Sequence, residues 1–450
     1  MFVETADQAI GLDPGETALR IRVLGLWHLG SVTAACVAEY FPTVAWDPDP
    51  LIIADLQNGK PPIYEPSLQD LVQAQLAAGR LAFTSDEREA VTGADVVWVT
   101  FDTPVNDADA ADPEVVARHI RGTFPHLPDG SLVLISSQVP AGFTAHMESE
   151  FRSADPQRRV AFAYSPENLR LGMSLDGFRH PDRIIVGIRS AEDRPRLEAL
   201  LGKFCSRLEW MTVESAEMTK HALNALLANS IAFINEIATV AECVGADAKE
   251  IERGLKSDSR IGPRSYLSPG APFGGGTLGR DVSFLADLAA GAGLAAPLLK
   301  SINASNEAHK DWSRRKLRQL LGSLGGQTIA VLGLTYKPGT NTLRRSVAVE
   351  LCRWLHGQGA LVQAHDPAIH RLPAELSAEI RLCQTIREAL TAADAVVVAT
   401  EWPAFKSISV DDLGLMRSPI VADPNRFLNP EVSQAKAVVY ASVGRGGVGH

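Results

Sequence analysis

Short apolar runs alternate with helical patterns in the first half of the chain. The run ALRIRVLG ends at Gly25, the helical pattern SVTAACVAEYF follows, and a second apolar run, TVAWD, ends at Asp47. This order of strand, tight turn, helix and strand is typical of the start of a doubly wound α/β domain. Such a domain is predicted over residues 20–212, after an N-terminal extension over residues 1–19. Its further strands are predicted over 95–101, 131–137, 159–165 and 183–188.

The pattern changes at Glu214, where a stretch without proline runs to about Ile251 and is apolar on almost every side. A helix of this kind is usually buried between domains or between subunits. Its only glycine, Gly245, is predicted to mark a break. Helical patterns continue to about residue 320, so residues 213–322 are predicted to form a central helical domain.

A second strand–turn–helix–strand pattern opens the last part of the chain. QTIAVLGLTYKPGTN indicates a strand and a turn, SVAVELCRWLHGQG a helix, and ALVQAHD a strand that ends at Asp366. DAVVVAT and IVAD supply later strands of the same domain, which is predicted over residues 323–450. The predicted fold class is therefore α/β, with two Rossmann-like doubly wound domains joined by a long central helix.

Charge and composition exclude several classes of function. The formal net charge of −10 argues against nonspecific nucleic-acid binding and against an anionic membrane surface. No transmembrane helix or signal peptide is predicted, because no apolar run reaches 18 residues and the start lacks basic and apolar regions. The eleven histidines show no HxxxH spacing, so no metal site is predicted. Widely spaced cysteines without a CxxC pair fit reduced, buried thiols in a cytoplasmic protein: Cys36, Cys205, Cys243, Cys352 and Cys383.

The stretch GLWHLG, from Gly25 to Gly30, stands where a dinucleotide-binding GxGxxG fingerprint belongs. Asp47 at the end of the next strand would accept hydrogen bonds from ribose hydroxyls, and no arginine follows it, which favours NAD over NADP. Trp27 takes the place of the second glycine, where bare backbone normally allows the pyrophosphate to approach. The alternative is a doubly wound domain that binds no dinucleotide.

Lys220 and Asn224 are four residues apart on the long predicted helix and so share one face. A lysine and an amide that converge on a cleft could polarise a hydroxyl or hold a water. Glu167 follows a strand end, where carboxylates in such sheets often face the ligand crevice. Taken alone, Lys220 and Asn224 also fit a plain structural role, as an exposed lysine beside a helix-packing asparagine.

A series of stretches resembles motifs of the UDP-glucose/GDP-mannose dehydrogenase family, in the family's order, from about residue 20 to residue 445. They are GLWHLG, PPIYEPSLQDLV, FDTPVND, SSQVPAG, SPENLRLG, HPDRIIVG, AEMTKHALNALLANSIAFINEIA, DSRIG, FGGGTLGRD, LTYKPGTNTLRRS and TEWPAF. The resemblance implies an NAD domain, a central helix used for dimerisation and a nucleotide-sugar domain. It also implies oxidation of a primary alcohol through an aldehyde to an acid, with two NAD reduced.

In the family, the second oxidation runs through a cysteine in a GGSCFPKD loop, by a thiohemiacetal and a thioester. FGGGTLGRD aligns with that loop, and Thr277 stands at the cysteine's position. A thiol carries a few per cent thiolate at neutral pH, whereas a threonine hydroxyl needs a strong adjacent base to become a nucleophile. Covalent catalysis of the second step is therefore not expected at this position.

Other positions retain or lose the family's groups. Lys220, Asn224 and Asp281 match residues that assist proton transfer and bind the water or oxyanion, and Glu167 matches one family glutamate, whereas Leu171 replaces the second. The resemblance implies cofactor contacts from Gly25, Trp27, His28, Leu29, Gly30, Asp47, Thr103, Gln138 (for a threonine), Arg280 (for a lysine) and Arg344. It implies substrate contacts from Glu167, Leu169, Lys220, Asn224, Arg260 (across the dimer), Tyr266, Gly274 and Lys337. Arg426 lies only near the position of the family's UDP-contacting arginine.

The leading hypothesis is a cytoplasmic, homodimeric, NAD-dependent nucleotide-sugar dehydrogenase in polysaccharide or secondary-metabolite sugar biosynthesis. Without the cysteine it would stop at the aldehyde or ketone, or act at a different hydroxyl. In a variant of this hypothesis, Glu167 activates water and the hydrated aldehyde is oxidised directly to the acid. The alternative is a non-catalytic nucleotide-sugar-binding or regulatory paralogue, motivated by Trp27 and Thr277.

Overall fold

The computed structural model describes residues 19–104, 111–167, 169–274 and 276–446. The chain divides into two compact units, Met1–Lys220 and His221–His450. The N-terminal extension predicted over residues 1–19 lies almost wholly outside the described residues.

A single sheet forms the centre of the first unit, and its described strands follow the spatial order β3-β2-β1-β4-β5-β6-β7-β8. The first six strands have the order of a dinucleotide-binding Rossmann fold. All neighbouring strands are parallel except β6 and β7, which pair antiparallel at Tyr164 and Gly187. The strands are β1 (Ile21–Leu24), β2 (Thr43–Trp46), β3 (Leu81–Thr84), β4 (Val96–Val99), β5 (Leu132–Ile135), β6 (Ala161–Tyr164), β7 (Ile184–Gly187) and β8 (Leu208–Met211).

Helices cover both faces of this sheet, which explains why its central strands are continuous apolar runs. Every residue of β1, β2, β4 and β5 is buried, as expected for parallel strands packed on two sides. The helices are α1 (His28–Val37), α2 (Pro50–Gln57), α3 (Leu68–Ala77), α4 (Pro113–Thr123), α5 (Phe143–Ala154), α6 (Ser174–Arg179) and α7 (Arg194–Leu201).

The long predicted helix is α8 (Val213–Val244). It ends before the predicted limit at Ile251, because Gly245 adopts a left-handed φ of +73° and breaks the helix, as predicted. A separate helix, α9 (Ala248–Ser257), follows. By length and composition alone, α8 could cross a membrane, but core helices of soluble proteins pass the same test. The absence of a transmembrane helix therefore stays a prediction.

A second sheet organises the second unit, with the described strands in the order β11-β10-β9-β12-β13-β14 and all neighbours parallel. This repeats the strand order of the first six strands, so the predicted fold class with two Rossmann-like domains is confirmed. The strands are β9 (Thr328–Leu332), β10 (Leu361–His365), β11 (Ile380–Leu382), β12 (Ala395–Val398), β13 (Ile420–Ala422) and β14 (Val439–Ala441). The helices after α9 are α10 (Thr277–Gly291), α11 (Pro297–Leu321), α12 (Val347–Gly357), α13 (Ala374–Ser377), α14 (Ile386–Leu390), α15 (Val410–Leu413) and α16 (Pro430–Gln434).

The cysteines differ in part from the prediction that all five are buried. Cys36, Cys352 and Cys383 are buried free thiols. Burial raises the pKa of Cys36 to about 12 and that of Cys383 to about 11, so both are inert at neutral pH. Cys205 is half-buried and Cys243, near the end of α8, is exposed. The prediction was wrong for these two, because an apolar sequence context does not fix which face of an element its neighbours cover.

Candidate active site

Two glycines shape the turn between β1 and α1. Gly25 has a φ of +92°, and a Cβ atom there would lie 2.5 Å from the Phe101 ring. A Cβ atom on Gly30 would lie 1.7 Å from the carbonyl oxygen of Gly25. Both positions therefore require glycine, one for the tight turn and one for close packing of helix on strand, as the first and third glycines of the fingerprint do.

Asp47 follows β2 directly and is almost fully buried. Its Oδ2 accepts a hydrogen bond from the Leu26 N–H (2.8 Å) and its Oδ1 accepts one from the Asp49 N–H (3.0 Å). Each oxygen keeps a second lone pair that could accept from a ribose hydroxyl. The carboxylate is thus fixed beside the glycine turn, where the predicted role in NAD binding requires it.

Trp27 stands immediately before α1, and 46% of its surface is exposed. Its φ of −71° lies outside the left-handed region that favours glycine. The helix N-terminus that it flanks is the place where a Rossmann domain holds a pyrophosphate. Gly25, Gly30 and Asp47 therefore fit a dinucleotide, while Trp27 adds a large side chain where the fingerprint has a glycine.

The His28 side chain belongs to a polar network that the sequence did not predict. Its Nε2 lies 2.8 Å from Ser174 Oγ and 3.3 Å from Glu65 Oε2. Glu65 also accepts from the backbone N–H groups of Gly172 and Ser174, both at 2.9 Å. Burial raises the pKa of Glu65, but these hydrogen bonds outweigh burial and hold it below its ordinary value. The imidazole thus ties α1 to Glu65 and to Ser174, the first residue of α6, and the predicted cofactor contact of His28 would come from its backbone.

Several predicted residues meet in the first unit. The Thr103 hydroxyl donates to the carbonyl oxygen of Gln138 at 2.6 Å, which joins two predicted cofactor residues. The Lys220 ammonium donates to the backbone carbonyl oxygen of Glu167 at 2.5 Å. The Glu167 carboxylate accepts from the Leu169 N–H at 2.6 Å, so it is turned back onto its own loop. The backbone carbonyl group of Glu167 therefore fixes the position of the Lys220 ammonium.

Asp281 and Asn224 meet in the second unit. Asn224 lies on α8 and its Nδ2 donates to Asp281 Oδ2, while His221 Nδ1 lies 3.1 Å from Asp281 Oδ1. Both Asp281 and Asn224 are buried. Two of the predicted catalytic residues are thus in direct contact, and His221 joins them without having been predicted.

Thr277 is the first residue of α10 and is exposed. Asp281 follows one turn later on the same helix, so the two residues share a face. The Arg345 guanidinium packs against Gly276, the residue before Thr277. A Cβ atom on Gly276 would lie only 1.8 Å from Arg345 Nη1.

The two predicted cofactor residues of this region differ in burial. Arg344, next to Arg345 in the chain, is exposed. Arg280 is half-buried in the first turn of α10.

A cavity of about 770 Å³ opens in the second unit. Its lining includes the predicted substrate residues Tyr266, Gly274 and Lys337. Among the described lining residues, Glu401 is the single carboxylate. Six lining side chains are cationic: Lys249, Lys256, Arg264, Lys310, Arg314 and Lys337. Four of these cations pair with carboxylates outside the lining: Lys249 and Lys256 with Glu252, Lys310 with Glu307 and Glu350, and Arg314 with Asp311. The size of the cavity suits a nucleoside diphosphate, and its lining offers cationic groups to the phosphates. Arg260 is not among the lining residues; its guanidinium is exposed and pairs with Asp258 at 2.7 Å.

Buried side chains hold the loop that leads from this cavity to the glycines. Asn235 Oδ1 accepts from the Gly270 N–H at 2.9 Å, and His309 Nε2 lies 2.8 Å from the Gly270 carbonyl oxygen. The Asn306 amide pairs with both backbone groups of Phe273, at 2.9 and 3.0 Å. None of these side chains was predicted. The loop therefore has a fixed backbone before the glycine run begins.

Arg426 has a structural role. Its guanidinium makes a two-pronged ion pair with Asp247, at 2.9 and 2.8 Å, and its Nε donates to Ser442 Oγ at 3.1 Å. It joins the turn before α9 to the end of the second sheet. Its neighbour Asn425 lines the cavity instead and accepts from the Ala271 N–H at 2.6 Å.

Three domain models of the UDP-glucose/GDP-mannose dehydrogenase family match the chain in sequence. The NAD binding domain matches residues 19–205, the central domain 214–308 and the UDP binding domain 330–430. The chain belongs to this family. The resemblance found in the motifs is therefore confirmed, and NAD is the cofactor of this dehydrogenase.

Several UDP-glucose dehydrogenases align with this dehydrogenase over almost its whole length. The UDP-glucose 6-dehydrogenase TuaD of Bacillus subtilis is 34% identical over 430 residues, covering 95% of this chain and 93% of that relative. The UDP-glucose 6-dehydrogenase of Pseudomonas aeruginosa is 33% identical over 448 residues, covering 96% and 99%. The solved UDP-glucose dehydrogenase of Pyrobaculum islandicum has a TM-score of 0.84 and 29% identity, covering 97% of this chain and 100% of that chain.

Replacing Trp27 of the dehydrogenase with glycine is expected to tighten NAD binding about tenfold, or about 1.4 kcal/mol. The reason is that the indole stands at the helix N-terminus where the pyrophosphate would approach bare backbone. Calorimetric titration with NAD and NADP measures the effect, and Tyr40→Ala, which removes an aromatic ring 51% exposed elsewhere in the unit, is the control. An unchanged dissociation constant for NAD would show that the indole does not obstruct the cofactor.

Proposed function

We propose that this chain oxidises the sugar of a UDP-sugar of the UDP-glucose class, with NAD as the hydride acceptor. The observation that carries the proposal is the cationic cavity of about 770 Å³, whose lining includes Lys337. Most of its lining lies between Ile231 and Ala348, and it extends to Asn425. Support for UDP-glucose as the first substrate to test comes from the names of the two aligned relatives.

NAD, when bound, takes a hydride from the carbon that carries the reacting hydroxyl. That hydroxyl must give up its proton, and we assign this task to the group Lys220, Asn224 and Asp281, with Glu167. Lys220 and Asn224 are one turn apart on α8 and so face the same side of it. Hydrogen bonds to the Glu167 carbonyl and to Asp281 hold these two side chains in place.

The reaction would stop at the aldehyde or ketone. Thr277 stands where the family's second oxidation uses a cysteine, and its hydroxyl is too weakly acidic to form the corresponding adduct at neutral pH. The competing possibility is that Glu167 activates a water and the hydrated aldehyde is oxidised directly to the acid. The hydrogen bond from Leu169 N–H that orders the Glu167 carboxylate is compatible with either outcome.

A panel of UDP-, GDP- and dTDP-sugars tests the proposal. NADH formation with UDP-glucose and thermal stabilisation by the same compound are the expected results. Stabilisation by a nucleotide sugar without NADH formation would favour the non-catalytic or regulatory paralogue that Trp27 and Thr277 suggest. Faster turnover of a GDP-sugar than of any UDP-sugar would contradict the substrate class.

We also propose that the protein is a cytoplasmic homodimer, with residues 213–322 as the dimerisation domain and Arg260 reaching the partner's site. Leu226, Phe233 and Val240 recur at intervals of seven on α8 and are exposed by 62%, 47% and 60%. A seven-residue repeat places them on one stripe of the helix, which is typical of a helix that packs on a partner. The exposed Arg260 guanidinium is compatible with a role across such an interface.

Replacing Phe233 with glutamate is expected to convert the dimer to a monomer at micromolar concentration, because a charge at the centre of an apolar interface is left unpaired. Light scattering after size exclusion gives the mass. Leu51→Glu, on an exposed leucine of α2, introduces the same charge outside the stripe and should leave the mass unchanged. A wild-type protein that is monomeric at micromolar concentration would refute the proposed assembly.

A further inference from the structure

His221 contacts the proposed catalytic group through Asp281. It follows Lys220 on α8, and its imidazole Nδ1 lies 3.1 Å from Asp281 Oδ1. The side chains of His221 and Asp281 are only 4% and 2% exposed. The Phe284 ring lies against the imidazole, with 4.4 Å between ring centroids. The imidazole is therefore held between a carboxylate and an aromatic ring of α10.

Asp281 joins His221 to Asn224. One carboxylate oxygen faces His221 Nδ1 and the other accepts from Asn224 Nδ2. An ionised carboxylate can only accept hydrogen bonds, so the Asn224 amide must present its NH₂ group to Asp281. Its carbonyl oxygen is then directed elsewhere, as an acceptor. The orientation of the amide thus depends on where the carboxylate is held.

We propose that His221 is a positioning residue for the oxidation, which fixes the Asp281 carboxylate and through it the orientation of the Asn224 amide. The inference rests on the proposed function, in which Asn224 acts on the reacting hydroxyl or on a water. The two oxygens of the Asp281 carboxylate accept hydrogen bonds from two side chains of α8, His221 and Asn224, and so link them. Loss of the His221 donor removes one hydrogen bond that fixes the carboxylate, so the orientation of the Asn224 amide becomes less strictly defined.

Three substitutions separate the hydrogen bond from the packing. In His221→Asn the amide nitrogen takes the place of Nδ1 and keeps the donor to Asp281. In His221→Gln the amide group is carried one bond farther from the backbone, nearer to the place of Nε2. In His221→Phe the ring against Phe284 is kept and the donor is lost.

The expected order of kcat is wild type, then His221→Asn within about fivefold, then His221→Gln and His221→Phe about a hundredfold lower. The KM for the nucleotide sugar should change less than threefold in all of them, because the contact orients groups that act after binding. A purely structural histidine would give the opposite order, with phenylalanine the best replacement. His365→Asn and His365→Phe are the controls, since His365 Nδ1 contacts the Cys383 carbonyl at 3.0 Å in the second sheet.

A second readout does not need turnover. With ¹⁵N-labelled histidine and asparagine, we expect an Nδ1–H tautomer for His221 and one sharp side-chain amide signal for Asn224. His221→Asn should preserve the amide signal and His221→Phe should broaden or shift it, with Asn224→Asp as the assignment control. If all His221 variants keep the same Asn224 signal, the inference is wrong even in an active enzyme. If no nucleotide sugar yields NADH while the expected changes are seen, the proposed function fails and the positioning contact stands.

Discussion

One NADH is expected for each nucleotide sugar that the wild-type protein oxidises, with an aldehyde or ketone as the product. In the proposed mechanism Lys220, Asn224 and Asp281 remove the alcohol proton, but Thr277 stands where the resemblance to the family places the thiol that captures the aldehyde. A cysteine thiol, with a pKa of about 8.5, is a few per cent thiolate at neutral pH, whereas a threonine hydroxyl forms essentially no alkoxide. We therefore expect that the aldehyde is not held as a covalent adduct for a second oxidation.

The stoichiometry is measured from NADH absorbance against sugar consumed, with hydroxylamine present to trap the carbonyl product. Thr277→Ser keeps a hydroxyl and should leave the ratio at one. Thr277→Cys should form little acid, because Gln138 and Leu171 also depart from the family pattern. A ratio of two with a uronic acid product would mean that water adds directly to the aldehyde and that Thr277 is not the limiting difference.

Substituting Lys220 with methionine is expected to lower kcat about a thousandfold. The ammonium is nearly buried and is fixed by its hydrogen bond to the Glu167 carbonyl oxygen, so methionine removes a positive charge that is held in one place. Methionine keeps the length and apolar stem of lysine, so the fold should tolerate it.

Steady-state kinetics with saturating NAD and nucleotide sugar measures this loss in kcat. Lys203→Met removes the same charge from an exposed position in the first unit and should leave kcat unchanged. The melting temperature of both variants should stay close to that of the wild type. A Lys220→Met enzyme that retains more than a tenth of the wild-type kcat would remove Lys220 from the catalytic group.

The interior strands could be predicted from the sequence and the edge strands could not. All six inner strands of the first sheet, β1, β2 and β4–β7, correspond to predicted apolar runs. The strands that the sequence did not reveal are β3, β8, β11 and β14, which are the two edges of each sheet. An edge strand packs against fewer neighbours, so its apolar pattern is shorter and weaker, as in β8, where every residue is half-buried.

The candidate site divides in the same way. Residues that lie in motifs, such as Lys220 and Asp281, could be predicted from their resemblance to the family. His221 and Glu65 could not, because their roles depend on contacts between residues far apart in the chain, with no periodic pattern to indicate them. His221 contacts Asp281, which is 60 residues away in the sequence, and Glu65 contacts Ser174, which is 109 residues away. Such pairs become visible only once the elements that carry them are placed.

The boundary between the two compact units falls inside the unbroken helix α8, between Lys220 and His221. This restricts how chimeras between family members can be made. Each residue inserted or removed between Lys220 and Asn224 would turn everything after it by about 100° around the helix axis. An exchange of units between relatives therefore preserves the shared face of these two side chains only if the helix keeps its length.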